Sequence, residues 1–300
     1  MPVREPEKSG TVVIRRCAAG RAARNVAVVC LLAAAFPAPA PAGVIPDPEA
    51  LAELQREGRS LATYLGAIAA GRGRLAAQGA HMVTPDHEVL MEGRGWVRIA
   101  YLKDATASSP HRDAVIVAQV EYDPTSGEAG ALSSMLPPRQ APATTISFAR
   151  AIQAARTAVK ARAGTHPPFD ATVQREKDGT FTVYLLPAAV EPGTVRMGAD
   201  FRVRVARSGR QATAVEPLHA SEPVTLQLAG RPAGEPTLHI HAGDDQPTVT
   251  DVARVVQFPA LGPHLVITPS SLFRIESDGR IVYLGPNPTA PVPPGPGGTP

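Results

Sequence analysis

The sequence predicts an α+β fold: an N-terminal helix with a short β-hairpin, then a helix followed by a mainly antiparallel sheet with one short helix. Leucines recur near helical spacing over residues 51–65. Apolar residues alternate between two faces over residues 114–122, as in a strand. Asp-Gly and Ser-Gly pairs separate β-rich runs further on and provide the positive φ angles of tight hairpins. Because aromatic residues are few, the core is expected to consist of Val, Leu, Ile and Ala.

The first helical pattern covers residues 47–78. Glycines interrupt it, so it predicts either one helix or two. Runs at residues 96–101 and 114–122 follow and are expected to pair as a hairpin.

Prolines mark the expected domain boundaries. Pro137, Pro138 and Pro142 predict a linker over residues 137–146. The other predicted regions are a signal peptide (residues 1–42), an N-terminal α+β subdomain (43–136), a C-terminal α+β domain (147–285) and a disordered tail rich in Pro and Gly (286–300).

The second unit begins with a helix. Ser147 is expected to cap it, and Gly164 is expected to end it in the left-handed conformation. Its apolar stripe consists of Phe148, Ile152, Ala155 and Val159. Hairpins are predicted around the pairs at 178–179, 208–209 and 278–279. The sequence also predicts strands at 237–241 and 263–268 and a short helix at 251–256.

The first 42 residues have the layout of a secretory signal, with arginines before an apolar run at 26–36 and small residues before Gly43. We therefore expect a periplasmic or secreted protein with no stable membrane anchor once this leader is cleaved. The leader carries six Arg or Lys and two Glu, which leaves residues 43–300 with a net charge of about −1 and no support for nucleic-acid binding. Both cysteines, Cys17 and Cys30, also leave with it, so any metal has to be held by His and carboxylate.

His239 and His241 are the strongest chemical signal in the chain. On a strand they project from the same face, with their α-carbons about 7 Å apart, and so can chelate one ion. Asp251, in the first turn of the following helix, can supply a third ligand and leave a fourth tetrahedral position for water. Zinc is the expected cofactor if a metal is bound.

The order His-x-His, a loop, a hydroxyl residue and then Asp resembles the JAMM zinc metallo-isopeptidases. The resemblance covers about 120 residues of the C-terminal half. It implies that His239, His241 and Asp251 are zinc ligands and that Thr248 takes the place of a catalytic Ser. It also implies an upstream Glu as general base, for which the order of the chain offers Glu176, Glu191, Glu216, Glu222 and Glu235.

The same residues have a purely structural interpretation. Thr248 can cap a helix and Asp251 can reach back to its amide, as in a capping box. Two functions therefore stay open. The first is an exported envelope protein with a non-catalytic binding or structural role, whose partner is another envelope protein or peptide. The second is a zinc-dependent JAMM-like peptidase or isopeptidase.

Overall fold

In the computed structural model the described residues are 46–79, 85–93, 96–104, 114–164, 168–189, 191, 193–220, 223–232 and 234–289. The α+β class is confirmed: these residues contain three helices, α1 (Pro48–Ala77), α2 (Ala143–Ala163) and α3 (Val249–Gln257), together with fourteen strands. The strands are β1 (His87–Gly93), β2 (Trp96–Asp104), β3 (Ala114–Asp123), β4 (Glu128–Gln140), β5 (Phe169–Arg175), β6 (Phe181–Pro187), β7 (Thr194–Met197), β8 (Phe201–Val205), β9 (Ala212–Pro217), β10 (Val224–Gln227), β11 (Thr237–Ile240), β12 (His264–Ile267), β13 (Ser271–Ile275) and β14 (Ile281–Pro286).

The first helical pattern forms a single helix. Asp47 caps α1 by accepting a hydrogen bond from the amide of Glu49. The N-terminal half of α1 packs along α3, and its C-terminal half covers the sheet of β1 to β4. Gly58 lies at the crossing with α3, where an added Cβ would stand 2.5 Å from Cβ of Val252. One of the glycines that interrupt the pattern therefore permits close approach of two helices.

Strands β1 to β4 form an antiparallel sheet in sequence order. The predicted hairpin is confirmed as β2 and β3, with Val97 opposite Tyr122. The sequence did not predict β1 or β4. Most of β4 is exposed at the sheet edge, so it lacks an alternating pattern, and an edge strand tolerates Pro137 and Pro138. Residues 137–146, expected as a linker, contain the end of β4 and the first residues of α2.

Helix α2 covers the antiparallel sheet of β5, β6, β8 and β9. Ile152, Ala155 and Val159 are buried in this core as predicted. Gly164 ends the helix with a positive φ of 77°, but its ψ of −149° lies outside the left-handed helical region that was expected. The prediction that Ser147 caps α2 is wrong. Pro142 is the N-cap residue, and the hydroxyl of Ser147 donates to the carbonyl oxygen of Thr144 inside the helix (2.7 Å).

The three predicted hairpins are confirmed as β5–β6, β8–β9 and β13–β14. The last belongs to a sheet ordered β11, β12, β13, β14, in which β11 and β12 run parallel. Helix α3 connects these two strands, so the unit is strand, helix, strand, and its valines pack on Val266 and Phe273. This connection places the end of β11 beside the start of α3.

A two-stranded antiparallel ribbon of β7 and β10 completes the sheets, and the residues that the structure describes between 46 and 289 belong to one compact unit. The leader, residues 1–42, lies outside the described residues. Asn287 donates its side-chain amide to the carbonyl oxygen of Thr268 (2.8 Å), so the fold extends beyond the predicted start of the tail at residue 286. None of the described helices is long and apolar enough to cross a membrane.

Candidate metal centre

Four ligand-type side chains meet at the junction of β9, β11 and α3. They are His219, His239, His241 and Asp251, and one ligand atom from each lies within 4.8 Å of all the others. The four residues are between 0% and 6% exposed. Carboxylate and imidazole groups are rarely buried so completely unless their charges and hydrogen-bonding atoms are satisfied.

The strand places the two predicted histidine ligands on the same face. His239 pairs with Val266 of β12, and the amide of His241 extends the ladder by donating to the carbonyl oxygen of Ile267 (2.8 Å). Ile240 between them points the other way and is 56% exposed. The alternation expected from the sequence is therefore present.

Asp251 is both a capping residue and a member of the cluster. The amide of Thr248 donates to Oδ2 of Asp251 (2.7 Å), and the amide of Asp251 donates to the hydroxyl of Thr248 (3.3 Å), which makes a capping box. Oδ1 remains free to face Nε2 of His219 (2.9 Å) and Nε2 of His239 (3.2 Å). The structural interpretation and the ligand interpretation of Asp251 therefore do not exclude each other.

The spacing of the ligand atoms suits a small tetrahedral ion. Nε2 of His241 lies 2.8 Å from Nε2 of His239 and 3.2 Å from Oδ2 of Asp251. Ligand atoms about 2.0 Å from a zinc ion stand about 3.3 Å apart in a tetrahedron. These two pairs are close to that spacing, and all four ligand atoms lie within 4.8 Å of one another.

His219 is the member of the cluster that the sequence analysis missed. It follows β9 directly and lies 20 positions before His239, with no spacing that relates it to the His-x-His pair. One signal was available: four of the eight histidines in the chain fall between residues 219 and 264. It adds a fourth ligand atom to the three that the sequence predicted.

The pKa values of the cluster indicate a charged pair. Burial lowers the pKa of the His219 imidazole, but the carboxylates of Asp251 and Asp200 outweigh burial and raise it to about 10. Burial also raises the pKa of the Asp251 carboxyl, but His219 and His239 hold it well below its usual value. Without a metal, a proton on His219 therefore balances the Asp251 charge.

Asp200 supports His219 from the side away from the cluster. Its Oδ2 lies 3.3 Å from Nδ1 of His219, and both side chains are buried. Ala199, immediately before it, has φ 57°, a conformation that costs a residue with a side chain about 1–2 kcal/mol. The carbonyl oxygen of Asp200 also accepts from the amide of Leu218 (2.9 Å), so the strained turn is tied to the segment that carries His219.

His264 lies under His239 on the neighbouring strand. The two rings stack with centroids 4.9 Å apart, and Nε2 of His264 lies 2.7 Å from Nδ1 of His239. Burial, followed by the nearby His239, lowers the pKa of His264 to about 3, so this ring is neutral at any physiological pH. Its Nδ1 faces the hydroxyl of Thr237 (2.5 Å).

Arg254, one turn after Asp251, holds α3 in place. It is 3% exposed, and its Nη2 donates to the carbonyl oxygen of Pro187 at the end of β6 (2.6 Å). Burial lowers the pKa of this guanidinium, although Asp200 and Asp170 counteract the effect. The bond connects the helix that carries Asp251 to the sheet whose last strand leads to His219.

Two residues implied by the resemblance lie outside the set of ligand atoms. Thr248 is partly buried and occupied as the helix cap. The cluster among the described residues contains no glutamate. Of the glutamates offered by the order of the chain, Glu176 accepts from Thr182, and Glu216 binds Arg202 through both carboxylate oxygens.

Comparison of the chain with models of known protein families, with curated proteins and with solved structures finds no match. Any functional conclusion therefore has to be argued from the residues of this cluster.

Proposed function

We propose that the protein binds one transition-metal ion, with zinc as the first candidate, through His219, His239, His241 and Asp251. The observation that carries the proposal is the convergence of their four ligand atoms within 4.8 Å in a buried site. Three imidazoles and one carboxylate form a four-ligand set of the nitrogen and oxygen donors that zinc accepts. A divalent ion would also compensate the buried carboxylates of Asp251 and Asp200.

A non-catalytic role fits this ligand set best. Structural zinc sites have four protein ligands, whereas catalytic zinc sites keep one position for water. Here His219 offers a fourth ligand atom next to Asp251, with Nε2 2.9 Å from Oδ1, and as a ligand it would take the place of a catalytic water. The metal would hold β9, β11 and α3 together and so stabilise the C-terminal half. We propose that this fold serves an exported protein that binds another envelope protein or peptide.

A second candidate is a zinc-dependent peptidase or isopeptidase like the JAMM enzymes. One observation favours it: His239, His241 and Asp251 meet within a strand–helix–strand unit in the order that the resemblance requires. In that case three residues would hold the ion, and His219 would have to move aside to admit a water molecule. Thr248 would then have to contact the substrate.

Metal content of site variants separates these functions. We would purify the protein without a His tag, load it with zinc, remove the excess and measure bound metal in the wild type, in His219→Ala and in the double variant His239→Ala/His241→Ala. His87→Ala is the matched control, because His87 contacts Asp104 on the sheet of β1 to β4.

The proposal predicts one zinc per chain in the wild type and in His87→Ala, weaker binding in His219→Ala and none in the double variant. A wild-type protein that retains no metal after loading would overturn both metal-dependent functions. Retention of full zinc affinity by His219→Ala, together with peptide hydrolysis by the wild type that His241→Ala abolishes, would favour the peptidase.

A further inference from the structure

We infer that His264 and Thr237 form a hydrogen-bonded chain that fixes the tautomer of His239, so that His239 presents an unprotonated Nε2 to the metal. His264 is then a positioning residue of the site. This inference rests on the proposed metal-binding function, but the chain itself can be tested in the metal-free protein.

The chain begins at a backbone carbonyl. Thr237 has one hydroxyl proton, and its Oγ1 lies 2.8 Å from the carbonyl oxygen of Leu261. A carbonyl oxygen only accepts, so the hydroxyl must donate to it. The Thr237 oxygen therefore accepts the second bond, from Nδ1 of His264 at 2.5 Å. His264 thus carries a proton on Nδ1.

The second step passes through the stacked rings. The two ring nitrogens of His264 face a hydroxyl and another imidazole, neither of which is an anion, and the residue is fully buried. A second proton would create a buried cation at high cost, so Nε2 of His264 keeps its lone pair. It accepts a hydrogen bond from Nδ1 of His239 at 2.7 Å. Because Nδ1 of His239 carries this proton, Nε2 is the nitrogen of this ring that is left for a metal, and it faces the cluster.

His241 lacks such a chain. Its Nδ1 is buried and has no hydrogen-bond partner among the described residues, while its Nε2 lies 2.8 Å from Nε2 of His239. No contact of Nδ1 therefore fixes which nitrogen of His241 carries the proton, whereas the chain fixes a proton on Nδ1 of His239. The two histidines of the His-x-His pair thus differ in how their tautomers are held.

The direct test is ¹⁵N NMR of the imidazole nitrogens in metal-free and zinc-loaded protein. We expect Nδ1 of His239 and Nδ1 of His264 to carry a proton in both states, and zinc to bind Nε2 of His239. The absence of a proton on Nδ1 of metal-free His239, or zinc bound to that nitrogen, would overturn the inference. Failure of the wild type to bind zinc would instead overturn the proposed function and leave the metal-free spectrum as the test of the chain.

The zinc affinity of variants provides a second measurement, which would not change if His264 had a purely structural role. His264→Gln keeps one acceptor and one donor in the chain, whereas His264→Leu removes both. Loss of such supporting contacts typically weakens metal affinity about 10- to 100-fold. We expect that loss in His264→Leu, its partial recovery in His264→Gln and an intermediate effect in Thr237→Val.

Metal-free melting temperatures provide the comparison. If His264→Leu and His264→Gln lower the metal-free melting temperature equally and bind zinc with wild-type affinity, His264 only fills space and the inference is wrong. If zinc affinity separates the two variants, it is supported.

Discussion

Zinc binding is expected to release one proton, and the structure indicates that it comes from His219. In the metal-free protein the carboxylates of Asp251 and Asp200 raise the pKa of His219 to about 10, so its imidazole is charged at pH 8. A metal needs the lone pair on Nε2, and the proton there must leave.

The size of the effect follows from linkage. If one proton is released for each ion bound, the dissociation constant falls about tenfold for each unit by which the pH rises, as long as the pH is below the pKa of His219. This corresponds to about 1.4 kcal/mol per pH unit. Between pH 7 and pH 9 the affinity should therefore rise about 100-fold. Asp251 adds no proton in this range, because its carboxyl pKa is held well below the usual value.

The measurement is zinc affinity by chelator competition from pH 7 to pH 9, with calorimetry at pH 8 in buffers of different ionisation enthalpy to count protons. Asp200→Asn is the control: it removes one of the two carboxylates that face His219, so fewer protons should be released and the slope should flatten. Release of no proton at pH 8 by the wild type, with an affinity independent of pH, would refute the assignment of a charged His219.

Three further predictions concern stability. In the metal-free protein the raised pKa of His219 contributes stability that is complete below about pH 6.5 and lost as the pH rises towards 10, so the melting temperature in chelator should fall across that range; a constant value would contradict the charged pair. Gly58→Ala should destabilise the protein by about 1–2 kcal/mol in urea unfolding, because overpacking against Val252 exceeds the gain in helix propensity. Gly73→Ala on the same helix, where an added Cβ meets nothing within 4 Å, should stabilise by about 0.5–1 kcal/mol, and the opposite order of these two variants would refute the packing argument. Thr248→Ala should cost about 1 kcal/mol as a lost cap and leave zinc content unchanged, whereas loss of metal would assign Thr248 a larger role.

The parts of the fold that sequence predicted are those specified by neighbouring residues. The turns at Gly179, Gly209 and Gly279 all have positive φ, and each connects the two strands expected from it. Strands β7 and β10 have four residues each and pair across about 30 positions in the chain. They are too short and too far apart for a local sequence pattern to predict them. The end of β4 was hidden by its prolines, which an edge strand can accept because half of its amides face away from the sheet.

The candidate site also contains residues that the sequence predicted and residues that it did not. His239, His241 and Asp251 were found because strand alternation and a helix start place them predictably. His219 and Asp200 were not found. The predicted hairpin of β8 and β9 brings them together, but no local pattern relates that hairpin to β11 and α3, which carry the other ligands. The sequence analysis treated helix capping and metal binding as alternative roles for Asp251. The structure gives its two carboxylate oxygens separate neighbours, which spacing alone does not show.

The two ends of the ligand set, His219 and Asp251, are only 32 positions apart in the chain. Bringing the ends of such a loop together costs about 3 kcal/mol of chain entropy plus a constant, which is small beside typical metal-binding free energies in structural zinc sites. If the proposed ion is bound, it closes this segment at a cost that metal binding can offset. The stability of the C-terminal half would then depend on the concentration of free metal.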